Sequence, residues 1–196
     1  MELLWKDGII TSKEELIEMV GVPHETVVNK NISFIDSHIE NYLAMSPLFF
    51  ISTSSLNGRA DVSPRGDGPG FVKMMDEKRL IFPDRPGNRR LDSLNNILEN
   101  PQVGMIFIIP GLNDVLRING RAWITRNEEL LKQFQWKGKT TGMGVIVEVE
   151  ECFIHCPRAF NQAGIWKPEK WPPKDQLPNL LDMWKAHVAL NGISAE

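Results

Sequence analysis

The sequence predicts a mainly β protein, an antiparallel barrel with flanking helices. At least six short segments are rich in β-branched and aromatic residues. Turn signals such as Asn57-Gly58, Asp76-Glu77 and Pro110-Gly111 join most of them, and a single helical pattern interrupts the series. Short connections favour antiparallel pairing, because a parallel crossover needs a dozen or more residues.

The elements follow in order. Residues 1–45 read as an N-terminal helical layer. There Ser12-Lys-Glu-Glu15 fits a capping box ahead of Leu16, Ile17, Met19 and Val20, and Gly21-Val-Pro23 ends the helix. Asp36 is placed to cap a second helix with Ile39, Tyr42 and Leu43 on one face. Residues 46–156 read as the barrel. Leu48–Ser54 and Ala60–Ser63 make a hairpin about Asn57-Gly58, and Phe71–Met74 and Arg79–Phe82 make another. A helix is expected over 89–99, with Asn88 at its cap, Leu91, Leu94 and Leu98 on one face, and Asn100-Pro101 ending it. Gln102–Ile109, a long strand Val115–Thr125 with a bulge expected at Gly120, a short helix near Glu128–Phe134 and the strand Gly144–His155 complete the set. Residues 157–196 carry a short helix before Ile165, an extended Trp166–Pro173 loop and an amphipathic helix at Leu180–Leu190. With no repeat and no composition break, 1–196 is read as one domain.

The 196 residues suffice for a full core, and 42% hydrophobic with 24% charged residues is ordinary for a globular chain. A formal net charge of −3 disfavours nucleic acid or an anionic membrane as partner. No apolar run approaches the roughly 20 residues of a membrane span, and the charged N-terminus is unlike a signal peptide. Cys152 and Cys156, four residues apart on a strand, would lie about 13 Å apart, too far for a disulfide. Free thiols and a cytoplasmic protein are expected.

Against this acidic background the arginines are concentrated. Arg85, Arg89 and Arg90 sit in a Pro/Gly-rich loop that runs into a helix, and Arg65 follows a strand end. A helix N-terminus beside guanidinium groups is an anion site, most naturally for phosphate. Without an anion, arginines at a helix start oppose the macrodipole. Arg117 and Arg121 share parity on their strand, and Phe82, Trp123 and Trp166 are candidate walls for a flat ligand. Other chemistries lack their motifs. There is no His-Glu-x-x-His, no second cysteine pair, and no Walker or dinucleotide glycine fingerprint. The four histidines are scattered, and on a strand Cys152 and Cys156 point away from His155.

The segments Ser63-Pro-Arg-Gly-Asp67, Phe82-Pro-Asp-Arg-Pro-Gly-Asn-Arg-Arg-Leu-Asp-Ser93, Asn96–Gly104, Leu116–Ala122 and His155-Cys-Pro-Arg158 with Trp166 appear in an order and spacing that resembles the pyridoxamine 5′-phosphate oxidase-like, FMN-binding split-barrel family. The resemblance covers about residues 30–170. It implies a six-stranded split barrel, a homodimer with FMN at the subunit interface, and flavin-dependent oxidoreduction of a small molecule. By the same resemblance Val62, Ser63, Pro64 and Arg65 run beside the flavin ring, continued by Phe82 and Pro83, and Asp84 and Arg85 are among the cofactor-binding residues. Asn88, Arg89 and Arg90 hold the phosphate, Arg117 lies on a strand approaching the ring, and Trp166 comes from the second subunit. Residues 175–196 do not match the oxidase segment that grips pyridoxamine phosphate, so the resemblance implies a cofactor and leaves the substrate open. A non-catalytic flavin-binding protein, or use of deazaflavin F420 or haem, is the alternative.

Overall fold

Alternation of side chains across a pleated surface builds this protein. The computed structural model describes residues 5–136, 139–140 and 142–193. The chain groups into two compact units, Met1–Cys156 and Pro157–Glu196.

The first unit is an antiparallel sheet with flanking helices. Its main strands are β1 (Leu48–Ser54), β2 (Ala60–Gly66), β3 (Lys73–Asp76), β4 (Arg79–Pro83), β5 (Gln102–Ile108), β6 (Val115–Thr125) and, after a two-residue pair β7 (Gln135–Trp136) and β8 (Lys139–Thr140), β9 (Gly144–His155). Seven of them form one sheet in the order β2-β1-β5-β6-β9-β4-β3. The segments singled out in the sequence account for all seven, including the β3–β4 hairpin, and the count is one more than the six strands that the family resemblance implied. On β1, Phe49, Ile51 and Thr53 are buried while Phe50 and Ser52 face outward. Phe49 centres the core, with ring centroids 4.9 Å from both Phe82 and Phe107 and 5.6 Å from Phe71.

The β1–β2 hairpin forms as expected, though by a longer turn. Residues 55–59 are closed by Ser55 N–H to the Arg59 carbonyl at 3.0 Å, with Gly58 in the left-handed region at φ 83°. The bulge lies elsewhere than predicted. Asn119 pairs with Glu151 and Gly120 with Val149, so the extra residue is Glu150 of β9. Gly120 permits the close approach, since a Cβ there would stand 2.0 Å from the Glu148 carbonyl oxygen. Parity on β6 is therefore unbroken, and Arg117, Asn119, Arg121 and Trp123 share the face opposite the core.

Helix α1 (Lys13–Val20) starts at the predicted cap, with Ser12 Oγ accepting from Glu15 N at 3.0 Å. All its residues are exposed. A short helix α2 (Glu25–Val28), capped by His24, has no forecast in the sequence reading. Asp36 caps α3 (Ser37–Met45) as expected, accepting from Ile39 N at 2.8 Å, and Ile39 and Leu43 enter the core. Helix α4 (Asp92–Glu99) begins three residues later than predicted, because Arg89 and Leu91 hold φ of 62° and 60°, which no α-helix accommodates. Its buried face is Ser93, Leu94 and Ile97, while Leu91 and Leu98 are exposed. A short α5 (Glu128–Leu131) precedes β7.

The second unit holds α6 (Arg158–Ala163), 3₁₀ turns at Pro168–Lys170 and Lys174–Gln176, and α7 (Leu180–Leu190). The loop expected to be extended thus contains a helical turn. Cys152 is buried on β9 and Cys156 is exposed, both as free thiols. Burial, reinforced by the Asp36 charge, pushes the Cys152 thiol up to about 12. No helix among the described residues is long and apolar enough to cross a membrane.

Candidate functional site

A cavity of about 720 Å³ opens between edge strand β2, the end of β4 and the loop leading into α4. Its position follows from strand parity. Arg65 pairs with the buried Phe49 and Ser63 with the buried Ile51, so Asp61, Ser63 and Arg65 present their side chains on the core side of the sheet. At the edge of the sheet that side meets α4. Phe71, Pro83 and Leu94 supply the apolar wall.

The polar wall is a closed network. Ser93 is 4% exposed, and its hydroxyl donates to Asp61 Oδ2 at 2.7 Å. A carboxylate only accepts, so the 2.7 Å bond between the two serine oxygens takes its proton from Ser63. Arg65 Nη1 donates to Ser63 Oγ at 3.0 Å and to the Pro64 carbonyl at 2.9 Å, and Nη2 donates to Ser93 Oγ at 3.2 Å. Three of the five guanidinium N–H groups are thereby used. The N–H of Nε and one of Nη2 remain, side by side on one edge of the plane.

The four arginines of the cavity differ in commitment. Arg85 is paired with Asp67, Nε to Oδ2 at 2.7 Å. Arg90 is paired with Asp92. Arg65 is half committed. Arg89 has no ion pair and no hydrogen bond among the described residues. Its backbone is left-handed, a conformation costing about 1–3 kcal/mol for a non-glycine residue. It stands just before α4, whose cap Leu91 makes no side-chain hydrogen bond. The first-turn N–H groups of α4 are therefore without a side-chain partner. A free guanidinium beside an uncapped helix N-terminus fits a phosphate monoester.

Asn88 does not cap the helix as the sequence suggested. Its Oδ1 instead accepts from Arg90 N at 3.1 Å, shaping the turn. Asp84 lines the cavity, and its carboxyl has no hydrogen bond or ion pair among the described residues. Burial raises its carboxyl above the usual range, against the opposing pull of Arg65.

The expected site residues separate into groups. Ser63, Pro64, Arg65, Pro83, Asp84, Arg85, Asn88, Arg89 and Arg90 come together at the cavity. Phe82 does not face it; its side chain is 1% exposed in the core against Phe49. Val62 and Arg117 lie on the opposite face of the sheet, since each alternates with core residues. There Arg117 Nε donates to Asn119 Oδ1 at 3.3 Å and its guanidinium lies 5.5 Å from the Phe153 ring centre. Trp166 belongs to the second unit, where it packs on Phe160 at 6.2 Å. The sequence reading missed Asp61, Ser93 and Phe71. Period-2 parity with Ser63 and Arg65 was the available signal for Asp61.

The sequence family described as pyridoxamine 5′-phosphate oxidase matches residues 35–156, which includes every residue of this cavity. The chain belongs to this family. No curated protein matches the sequence. Among solved structures, a single-residue variant of HupZ from Group A Streptococcus is similar at 18% identity and TM-score 0.51, over 62% of this chain and 99% of that one. A structure described as a putative pyridoxamine 5′-phosphate oxidase from Lactobacillus delbrueckii is similar at 16% identity and TM-score 0.50, over 62% and 95%. These likenesses are of fold. The cavity lies at the edge of the sheet, where β2 is the terminal strand.

Proposed function

We propose that this family member binds FMN in the cavity and is a flavin-dependent oxidoreductase acting on a small molecule. The observation that carries the reading is Arg89, unpartnered and held in left-handed backbone beside the uncapped start of α4. Strain of that kind persists where the surrounding structure and a ligand interaction justify it. Arg89 and the α4 N–H groups would hold the phosphate, with Asn88 fixing the loop. Phe71, Pro83 and Leu94 would supply the apolar wall that a ring system requires.

When bound, FMN supplies hydride and electron transfer, and the protein supplies binding, orientation and electrostatics. Arg65, locked by Ser63 and Ser93, would place a fixed positive charge at the ring and favour negative charge developing there. Family membership and the net charge support a small-molecule partner rather than nucleic acid. A homodimer is part of the proposal. Phe50 (39% exposed), Val62 (63%) and Ile106 (39%) leave an apolar patch on the outer face of the sheet across β1, β2 and β5. A second copy on that face would bring Val62 and Arg117 to the partner's cavity.

The test is a visible spectrum of the purified full chain with chromatography of the acid-released chromophore. One FMN per chain is expected, reducible by a nicotinamide donor. Stoichiometric FMN that no donor reduces would favour a storage or sensing role. A chain that neither carries nor takes up FMN would overturn the reading, and a monomer binding FMN at full affinity would overturn the shared interface.

A further inference from the structure

Most charged groups of the cavity are already satisfied within the protein. Arg85 has Asp67, Arg90 has Asp92, and Asp61 accepts from Ser93. Three charged groups remain open: Arg89, the free edge of Arg65 and the carboxyl of Asp84. Arg89 calls for an anion. The other two call for something different. The Arg65 edge offers parallel donors. When ionised, Asp84 offers acceptors and no donor, and it lines the same cavity within Coulombic reach of Arg65. Paired together they would form a salt bridge and read nothing, yet no hydrogen bond or ion pair joins them. A half-buried carboxylate without a donor is costly, so a ligand N–H or O–H at this point removes a penalty as well as adding a bond.

We infer that Asp84 and the open edge of Arg65 read an imide edge on the ligand's ring, Asp84 accepting the ring N–H and Arg65 donating to the adjacent carbonyl. The inference rests on the flavin reading of the cavity and sharpens it. Flavins and deazaflavins both carry such an edge. A haem periphery offers carboxylates and no N–H donor, so Asp84 would repel it. Asp84 is thus a specificity determinant for the class of cofactor, acting separately from the phosphate anchor.

The experiment is a fluorescence titration of the ligand-stripped full chain with FMN and with N3-methyl-FMN, which lacks the imide proton. The parent protein should prefer FMN by roughly 10-fold or more, the size of one hydrogen bond to a charged group. Asp84→Ala should weaken FMN by about that factor, leave N3-methyl-FMN nearly unchanged and so abolish the preference. Asp84→Asn keeps the shape with a neutral acceptor, and its preference should fall between the two. Arg89→Ala should weaken both flavins alike and keep the preference. Equal binding of the two flavins by the parent protein would overturn the role of Asp84 while leaving the FMN reading intact. A full preference surviving in Asp84→Ala, or undiminished in Asp84→Asn, would show steric exclusion and overturn it too. Failure to bind either flavin would remove the cofactor reading on which it stands.

Discussion

The loop between β4 and α4 and the outer face of β6 both carry arginines, and they use them in opposite ways. On β6, Arg117 is held by Asn119 and lies over Phe153, and Arg121 lies 5.9 Å from the Trp123 ring centre. Arg117 thus has one hydrogen bond and a ring contact and Arg121 a ring contact, all with neighbours on regular strands, each cation–π contact worth about 0.5–1 kcal/mol. In the loop, Arg89 has no hydrogen bond or ion pair among the described residues, and its backbone is strained. A count of arginines therefore says little about a binding site. The informative feature is a cation that the protein positions at some energetic cost and leaves without a partner.

The largest expected effect separates wall from core. Phe82 lies beside Pro83 in sequence, yet its ring packs on Phe49 and only Pro83 lines the cavity. Phe82→Ala should cost about 3–5 kcal/mol of stability by leaving a core cavity. Urea denaturation would measure the loss. The fraction that remains folded should still bind FMN, and a fully folded but flavin-free variant would place the ring in the site after all.

Arg89 gives the next effect, in two directions. Arg89→Ala should weaken FMN binding by about 1.5–3 kcal/mol, the range for a hydrogen bond to a charged group. Arg89→Gly should weaken it similarly while raising stability by about 1 kcal/mol, because glycine adopts positive φ without penalty. Thermal unfolding without ligand would show the gain. Retained affinity in both variants would mean the phosphate is held elsewhere.

Much of this was legible in the chain and some was not. Strand alternation placed the long strands β1, β5, β6 and β9 within a residue, though β2 runs three residues past its expected end at Ser63, and the Asp36 and Ser12 caps were visible because capping depends on local side chains. The arginine-rich loop that lines the cavity was visible in its arginines and glycine. The start of α4 was misplaced because nothing local announces that Arg89 and Leu91 turn left-handed. The bulge was assigned to Gly120, where the close approach is, although the inserted residue is Glu150 across the ladder. Pairing was hidden for the same reason. Arg85 meets Asp67 and Arg65 meets Ser93 across distances in sequence that only the fold closes.

Asp84 allows a test by pH. Its folded carboxyl titrates above the usual carboxylate range, chiefly through burial, so the folded state binds more protons than the unfolded one between the unfolded value near 3.8 and the raised folded value. Stability without ligand should therefore fall as pH rises through that window. Asp84→Asn should remove this part of the slope and leave the protein more stable at neutral pH. Denaturation midpoints across pH 3.5–7 would follow it. An unchanged slope in the variant would assign the titration to another group.

The smallest effect sets two adjacent arginines against each other. Arg90 follows Arg89 directly, carries the same charge and borders the same cavity. It differs in being paired with Asp92 at the first turn of α4, with 71% of its side chain exposed. Solvent screens such a pair, so its contribution to stability should lie within about 1 kcal/mol. Arg90→Ala should likewise change FMN affinity by less than about fivefold, well below the loss at Arg89. Removing Arg90 also frees the Asp92 carboxylate beside the helix start, where it would compete with a bound phosphate for the same N–H groups. Any loss seen should therefore shrink in Arg90→Ala combined with Asp92→Asn. A loss at Arg90 equal to that at Arg89, undiminished in the double variant, would make both arginines direct anion ligands and erase the distinction between committed and open charge.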